Sequence, residues 1–352
     1  MSRHPGATPH HPRRRWLRTI ALAMTVAVMA GGCSLLNGGS GSDEPVAGST
    51  LEKSSITIGI LNALDYAPVE IAKAKGFFRD EGLNVTIKVF PAGPATLPAL
   101  QSGSLDVTLV NYVTFFQSVT GPSPQNFKII ADAFQADDQA IVLLAKDGSG
   151  ISQPKDLVGK TVSVHQRNSV ADLLLKELLH DNGIDPSSVN RAEVKFPDQL
   201  VALSNNEIAA GIELEPYIRQ GENKYGLTPL VPGPLTLVTG QTANLPLSGY
   251  IVTGAFAQKN PRTVAAIQRA MRKAQRLATS DHSQVIAVLP DLTGIDHATA
   301  QQVHIGKDAY PESLDPTRLQ SVVQLMNDYG GFSQGGHVDV DVSKLIVPTP
   351  KN

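Results

Sequence analysis

The sequence predicts an α/β protein of two lobes, with a ligand cleft between lobes joined by two crossings of the chain. Three observations predict it. Short apolar strands alternate with helices that open on Pro or Ser and stop at Gly, as in βαβ units. The same order of elements occurs twice, over residues 56–116 and again from Thr161, at an offset of roughly one hundred residues and with little identity. About 300 residues follow the N-terminal segment, more than one hydrophobic core usually serves.

Targeting comes first along the chain. Residues 1–32 carry five Arg and no Asp or Glu, with an apolar run over 19–30 before Gly31-Gly32-Cys33. Twelve residues are too few for a bilayer span, which takes about 20, but they suit a signal-peptide core. Arg13-Arg14-Arg15-Trp16-Leu17-Arg18 fits either a twin-arginine export signal or a plain basic leader. The ending Ala30-Gly31-Gly32-Cys33 resembles a bacterial lipobox, which implies cleavage before Cys33 and lipid attached to it. Two or more acyl chains anchor a protein stably, at ~0.8 kcal/mol per buried CH₂. Cys33 is the only cysteine, so neither a disulfide framework nor a thiolate metal site can form. Residues 33–54 read as the lipidated Cys and a Gly/Ser-rich flexible tether. Without residues 1–32 the chain has 25 Lys and Arg against 32 Asp and Glu, about −7, which argues against a nucleic-acid partner. No other stretch is long and apolar enough to cross a membrane.

In the first unit a strand over 56–60 leads into a helix with Pro68 in its first turn and Gly76 at its end. A strand over 85–89, a short helix with Pro98 near its start, and a buried strand over 105–110 follow. Residues 126–146 read as two more strands, with Gln135 and Asp138 in or beside the turn between them. From Thr161 the order repeats: strand 161–164, polar turn, helix 169–182, strand 192–196, helix 198–205 and strand 210–214. Ser169 with Asp172 three residues on forms a capping box. A return strand over 250–253 precedes an amphipathic helix from Pro261, and a helix from Pro316 precedes a closing strap over the first lobe. The predicted lobes are residues 55–146 with 248–352, and residues 147–247.

The segments AKAKGFFRDEGLNVTI, ALQSGSLDV, DLVGKTVSV and AFAQKNPRTVAAIQRAMRKAQ occur in this order. They resemble the periplasmic solute-binding proteins of ABC importers for aliphatic sulfonates, taurine and nitrate, a group that includes thiamine-precursor binders. The resemblance covers residues 56 to about 345. It implies the two-lobed periplasmic-binding-protein fold (type II), and with the leader and Cys33 the expectation is an exported, lipid-anchored, monomeric protein on the outer face of the cytoplasmic membrane. It also implies a small-molecule ligand and an ABC permease as partners.

Ligands of open α/β sheets sit beyond the carboxyl ends of the strands. On the first lobe this selects Asn62, Asp65, Tyr66, Asn111 and Tyr112, joined by Gln135, Asp138 and Ser248 near the crossings. On the second lobe it selects His165, Gln166, Arg167, Asn168 and Ser169 at a helix start, and the resemblance implies Glu213, Glu215 and Tyr217, after that lobe's last strand, as ligand-facing residues. Backbone N–H groups at that helix start, with Arg167 beside them, could take a sulfonate, taurine or nitrate-like anion. The acidic residues favour instead a pyrimidine-type or other amine-bearing ligand. A catalytic reading lacks support: the six histidines beyond residue 32 include no close-spaced metal pair, and neither a nucleophile elbow nor a phosphate loop is present. No cofactor or metal is expected. An enzyme or a sensor on the same scaffold is the alternative from another class.

Overall fold

The computed structural model describes residues 50–90, 93–239 and 242–349. The predicted signal peptide, Cys33 and all but the end of the tether lie outside the described residues. The strands are β1 (Ser55–Ile60), β2 (Asn84–Val89), β3 (Val107–Asn111), β4 (Phe127–Gln135), β5 (Ile141–Lys146), β6 (Thr161–Val164), β7 (Asn190–Glu193), β8 (Ala210–Leu214), β9 (Leu227–Pro229) and β10 (Pro246–Thr253). They form two five-stranded sheets of one design, in the orders β2-β1-β3-β10-β4 and β7-β6-β8-β5-β9. In each sheet the first three strands run parallel, as βαβ units require, and the fourth is antiparallel to both of its neighbours.

That fourth strand is the one arriving from the other lobe. The strand Ile141–Lys146, expected in the first lobe, pairs with β8 and β9 and so belongs to the second sheet. The first crossing therefore lies at residues 136–140, and the return runs between β9 and β10. The two run side by side: Asn244 N–H donates to the Ala136 carbonyl and Ala136 N–H to that of Leu245, each at 3.0 Å. Two adjacent crossings between α/β lobes let the lobes move as bodies while few backbone angles change.

The helices are α1 (Ala67–Ala74), α2 (Phe77–Asp80), α3 (Thr96–Gln101), α4 (Tyr112–Thr120), α5 (Val170–Asp181), α6 (Phe196–Ser204), α7 (Tyr217–Tyr225), α8 (Gly254–Lys259), α9 (Pro261–Ser280), α10 (His282–Thr293), α11 (His297–Ala300) and α12 (Pro316–Asp328). Helix α9 buries Val264, Ile267, Met271 and Ala274 against the first lobe, while Arg269 and Lys273 on its polar side pair with Glu81. The predicted strand at 192–196 is corrected: β7 ends at Glu193, and Phe196 with Pro197 opens α6, where a Pro fits the first turn.

The folded body starts earlier than residue 55. The Glu52 carboxylate accepts from Arg262 Nε at 2.8 Å and from Thr263 N–H at 2.9 Å at the start of α9, and Lys53 Nζ reaches Asp106 at 2.6 Å. At the other end Ile346 bridges Ile129 on the outer edge of β4, and Val347 N–H donates to the Ile129 carbonyl at 2.8 Å. The closing segment thus covers an edge that would otherwise be unpaired.

Gly249 in β10 has no room for a side chain, because an added Cβ would run into the Tyr112 ring. Tyr112 cannot yield, being fully buried with its hydroxyl donating to Asp132 Oδ1 at 2.8 Å. Gly249→Ala is expected to destabilise the protein by about 1–3 kcal/mol, the usual cost of overpacking. A lower urea midpoint with an unchanged slope is the readout.

Candidate ligand cleft

The carboxyl ends of β1, β3, β6 and β8 meet around a cleft of about 390 Å³ between the two sheets. Its wall is largely apolar, with Leu61, Leu109 and Phe134 from one lobe and Val170, Phe196 and Ile212 from the other. The lobes touch across it. Tyr217 Oη donates to the Asn62 carbonyl at 3.0 Å, and Gln166 Nε2 donates to Thr114 Oγ1 at 3.2 Å.

Of the residues selected from the sequence, Asn62, Asp65, Tyr66, Asn111, His165, Gln166, Ser169, Glu213, Glu215, Tyr217 and Ser248 line this one cleft. Tyr112, Gln135, Asp138, Arg167 and Asn168 do not. Tyr112 opens α4 but turns inward to Asp132. Gln135 is buried at the end of β4, where Arg318 donates to its side-chain oxygen. Asp138 is exposed on the first crossing. Asn168 adopts a left-handed turn (φ 51°), which Asn tolerates, and gives its N–H to Asp172 Oδ2 at 2.8 Å. Arg167, on the same exposed turn, donates to the Arg191 carbonyl, so the expected anion-binding guanidinium is outside the cleft.

The start of α5 explains why. Ser169 Oγ caps the helix by accepting from Asp172 N–H at 3.4 Å, as the spacing predicts. The wholly buried Asp172 carboxylate accepts from Arg191 Nη1 at 3.1 and 3.3 Å and pairs with Lys176 Nζ at 3.7 Å. The positive end of the helix is thereby already matched by a fixed negative charge.

Two cleft carboxyls lack such partners. Glu213 near the end of β8 is fully buried, and neither oxygen makes a hydrogen bond; burial pushes its carboxyl well above the ordinary range. Asp65 is pushed up to about 6 by burial, against the Ser248 hydroxyl that donates to its Oδ2 at 2.9 Å; Oδ1 has no partner. Glu215 is raised to about 7 by burial, but His304 N–H at 2.9 Å and Arg219 Nε at 3.2 Å satisfy it.

Phe196 is the cleft side chain that strand periodicity concealed. Its ring stacks on His165 at 4.6 Å and on Tyr217 at 5.3 Å, giving three flat rings in a row along one wall. Burial pushes His165 down to about 4, so the imidazole is neutral at pH 7. The Pro at position 197 was the available signal, since it fits a helix start better than a strand end. Among the described residues no cluster of His, Cys, Asp or Glu could hold a metal ion, and no helix is long and apolar enough to cross a membrane. An apolar cleft with a few polar groups and a ring wall is suited to holding a small organic molecule.

The family model described as the NMT1-like family matches residues 49–289. The chain is 27% identical over 216 residues to an Escherichia coli (strain K12) protein described as aliphatic sulfonates-binding, covering 58% of this chain and 61% of that one. It is 26% identical over 212 residues to the taurine-binding periplasmic protein of the same strain, covering 59% and 62%. The chain thus spans less than two thirds of these curated relatives. Among solved structures, the periplasmic aliphatic sulphonate binding protein of Escherichia coli superposes with TM-score 0.67 at 20% identity, covering 85% of this chain and 94% of that one. The periplasmic nitrate-binding protein of Synechocystis PCC 6803 superposes with TM-score 0.69 at 15% identity, covering 85% and 87%. At such identities these likenesses show the fold, which is that of periplasmic binding proteins.

Proposed function

This chain belongs to the NMT1-like family, and on that premise we propose that it is the extracytoplasmic solute-binding component of an ABC importer. It captures a small organic solute and hands it to a membrane permease, without altering it. The observation that carries this reading is the cleft: about 390 Å³, largely apolar, set between two lobes that are linked by two adjacent crossings. A solute bridging both walls binds the closed form better than the open one, and that difference drives closure. Relatives named for aliphatic sulfonates and taurine put compounds of that size among the candidate solutes. In the same reading the chain is exported, loses residues 1–32, and stays at the outer face of the cytoplasmic membrane through lipid on Cys33, as a monomer.

Closure is testable with one dye on each lobe, at the exposed Val89→Cys and Val201→Cys in a Cys33→Ser chain. A bound solute should raise energy transfer between the dyes and be recovered chemically unchanged. Chemical conversion, or binding with no change in transfer, would falsify the reading. Tyr217→Phe removes the bond to Asn62 across the cleft, worth about 1 kcal/mol, and should weaken solute affinity roughly fivefold by calorimetry.

A further inference from the structure

We propose that the solute carries a protonated nitrogen, held by Glu213 and Asp65, with a flat or apolar body lying along the His165, Phe196 and Tyr217 rings. The inference rests on the solute-capture reading and adds the chemistry of what is captured. Buried polar groups in proteins are nearly always hydrogen-bonded, and exceptions call for a functional account. Here both oxygens of Glu213 and Oδ1 of Asp65 are buried without a partner, and both residues line the same cleft from opposite lobes. Each is therefore an acceptor that a ligand's N–H groups can satisfy when the lobes close. His165 Nδ1, also buried without a partner, is a third polar atom on the ring wall.

The charge inventory points the same way. The cleft lining contains Asp65, Glu193, Glu213 and Glu215 against a single cationic side chain, Lys195. Glu215 is engaged by Arg219 and by His304 N–H, which leaves Glu213 and Asp65 for the ligand. Low-dielectric walls of one sign concentrate the opposite charge. An anion would have to displace that preference without Arg167, and against a helix start whose partial charge Asp172 already answers. Burial favours the neutral carboxyl at Glu213 until a cation arrives to stabilise the ionised form. The faces of Phe196 and Tyr217 add the attraction that aromatic rings offer to cationic groups.

Benzamidine and benzenesulfonate make a matched pair of probes, sharing a ring and differing in the sign of charge. Calorimetric titration of the purified full chain should show benzamidine binding at least tenfold more tightly. Glu213→Gln and Asp65→Asn, each checked for native circular dichroism, should each weaken benzamidine tenfold or more and leave benzenesulfonate unchanged or tighter. Equal or tighter binding of benzenesulfonate, binding of neither probe, or benzamidine affinity indifferent to both substitutions overturns the proposal. Benzenesulfonate closing the dye-labelled lobes while benzamidine does not would overturn the cation and leave solute capture standing. Conversion of either probe would instead overturn solute capture.

Discussion

Asp172→Ala is expected to lower folding stability by about 3–5 kcal/mol, the cost of breaking a buried ion pair by removing one partner. The Asp172 side chain is fully buried in the first turn of α5, while those of Lys176 and Arg191 are 12% and 21% exposed. Its loss strips Arg191 of its carboxylate and leaves Asn168 N–H without an acceptor. Asp172→Asn keeps the shape and part of the hydrogen bonding and should cost less. Urea denaturation supplies the measurement: the midpoint should fall while the slope stays constant. Adding Arg191→Ala to Asp172→Ala should cost little more, because the pair is already broken and neighbouring losses are not additive. A loss under about 1 kcal/mol, the range of surface pairs, would show that this network contributes nothing special. Since the same carboxylate holds the turn at 165–169, the substitution should also loosen the cleft wall around Gln166.

The parts of this structure that depend on local chain geometry were readable from the residues alone. Gly76 and Gly183 end their segments at φ 78° and 67°, where a residue without Cβ is at ease, and Ser169 caps α5 as its spacing to Asp172 implied. The doubled order of elements led to the cleft because the ends of parallel strands converge in space by topology. Sheet membership was harder. The run Ile141–Lys146 is buried along most of its length, as a central strand of either lobe would be, and only its partners β8 and β9 decide the matter. Directions within a turn were harder still. Arg167 and Gln166 are adjacent, yet one bonds to Arg191 outside the cleft and the other to Thr114 across it. Which of the cleft's acidic groups lack partners was least accessible, because that is set by groups far apart in the chain. Asp65 meets Ser248 from 183 residues away, and Glu215 meets His304 from 89.

Glu213→Gln is expected to raise the melting temperature of the ligand-free protein at pH 8 and to leave it unchanged at pH 4. Burial holds the Glu213 carboxyl well above its ordinary 4.5, so between 4.5 and the raised value the folded form binds a proton that the unfolded chain has released. The stability due to that proton is complete below pH 4.5 and is lost as pH rises through the folded value. Glutamine has nearly the same shape and no proton to lose, so its advantage opens above pH 4.5 and levels off once wild-type Glu213 is ionised. Removing a buried group whose charge has no partner should be worth about 1–3 kcal/mol there. Asp65 and Glu215, raised to about 6 and about 7, bend the pH profile of both proteins alike and largely cancel in the difference. Differential scanning calorimetry of the two proteins across pH 4–8 tests this directly, and a difference that stays flat with pH would mean that burial does not hold the Glu213 carboxyl above its ordinary range. A protein that becomes more stable and a poorer cation binder through one substitution would show why the unpartnered carboxyl is kept: its cost in the free state is the affinity held for the ligand.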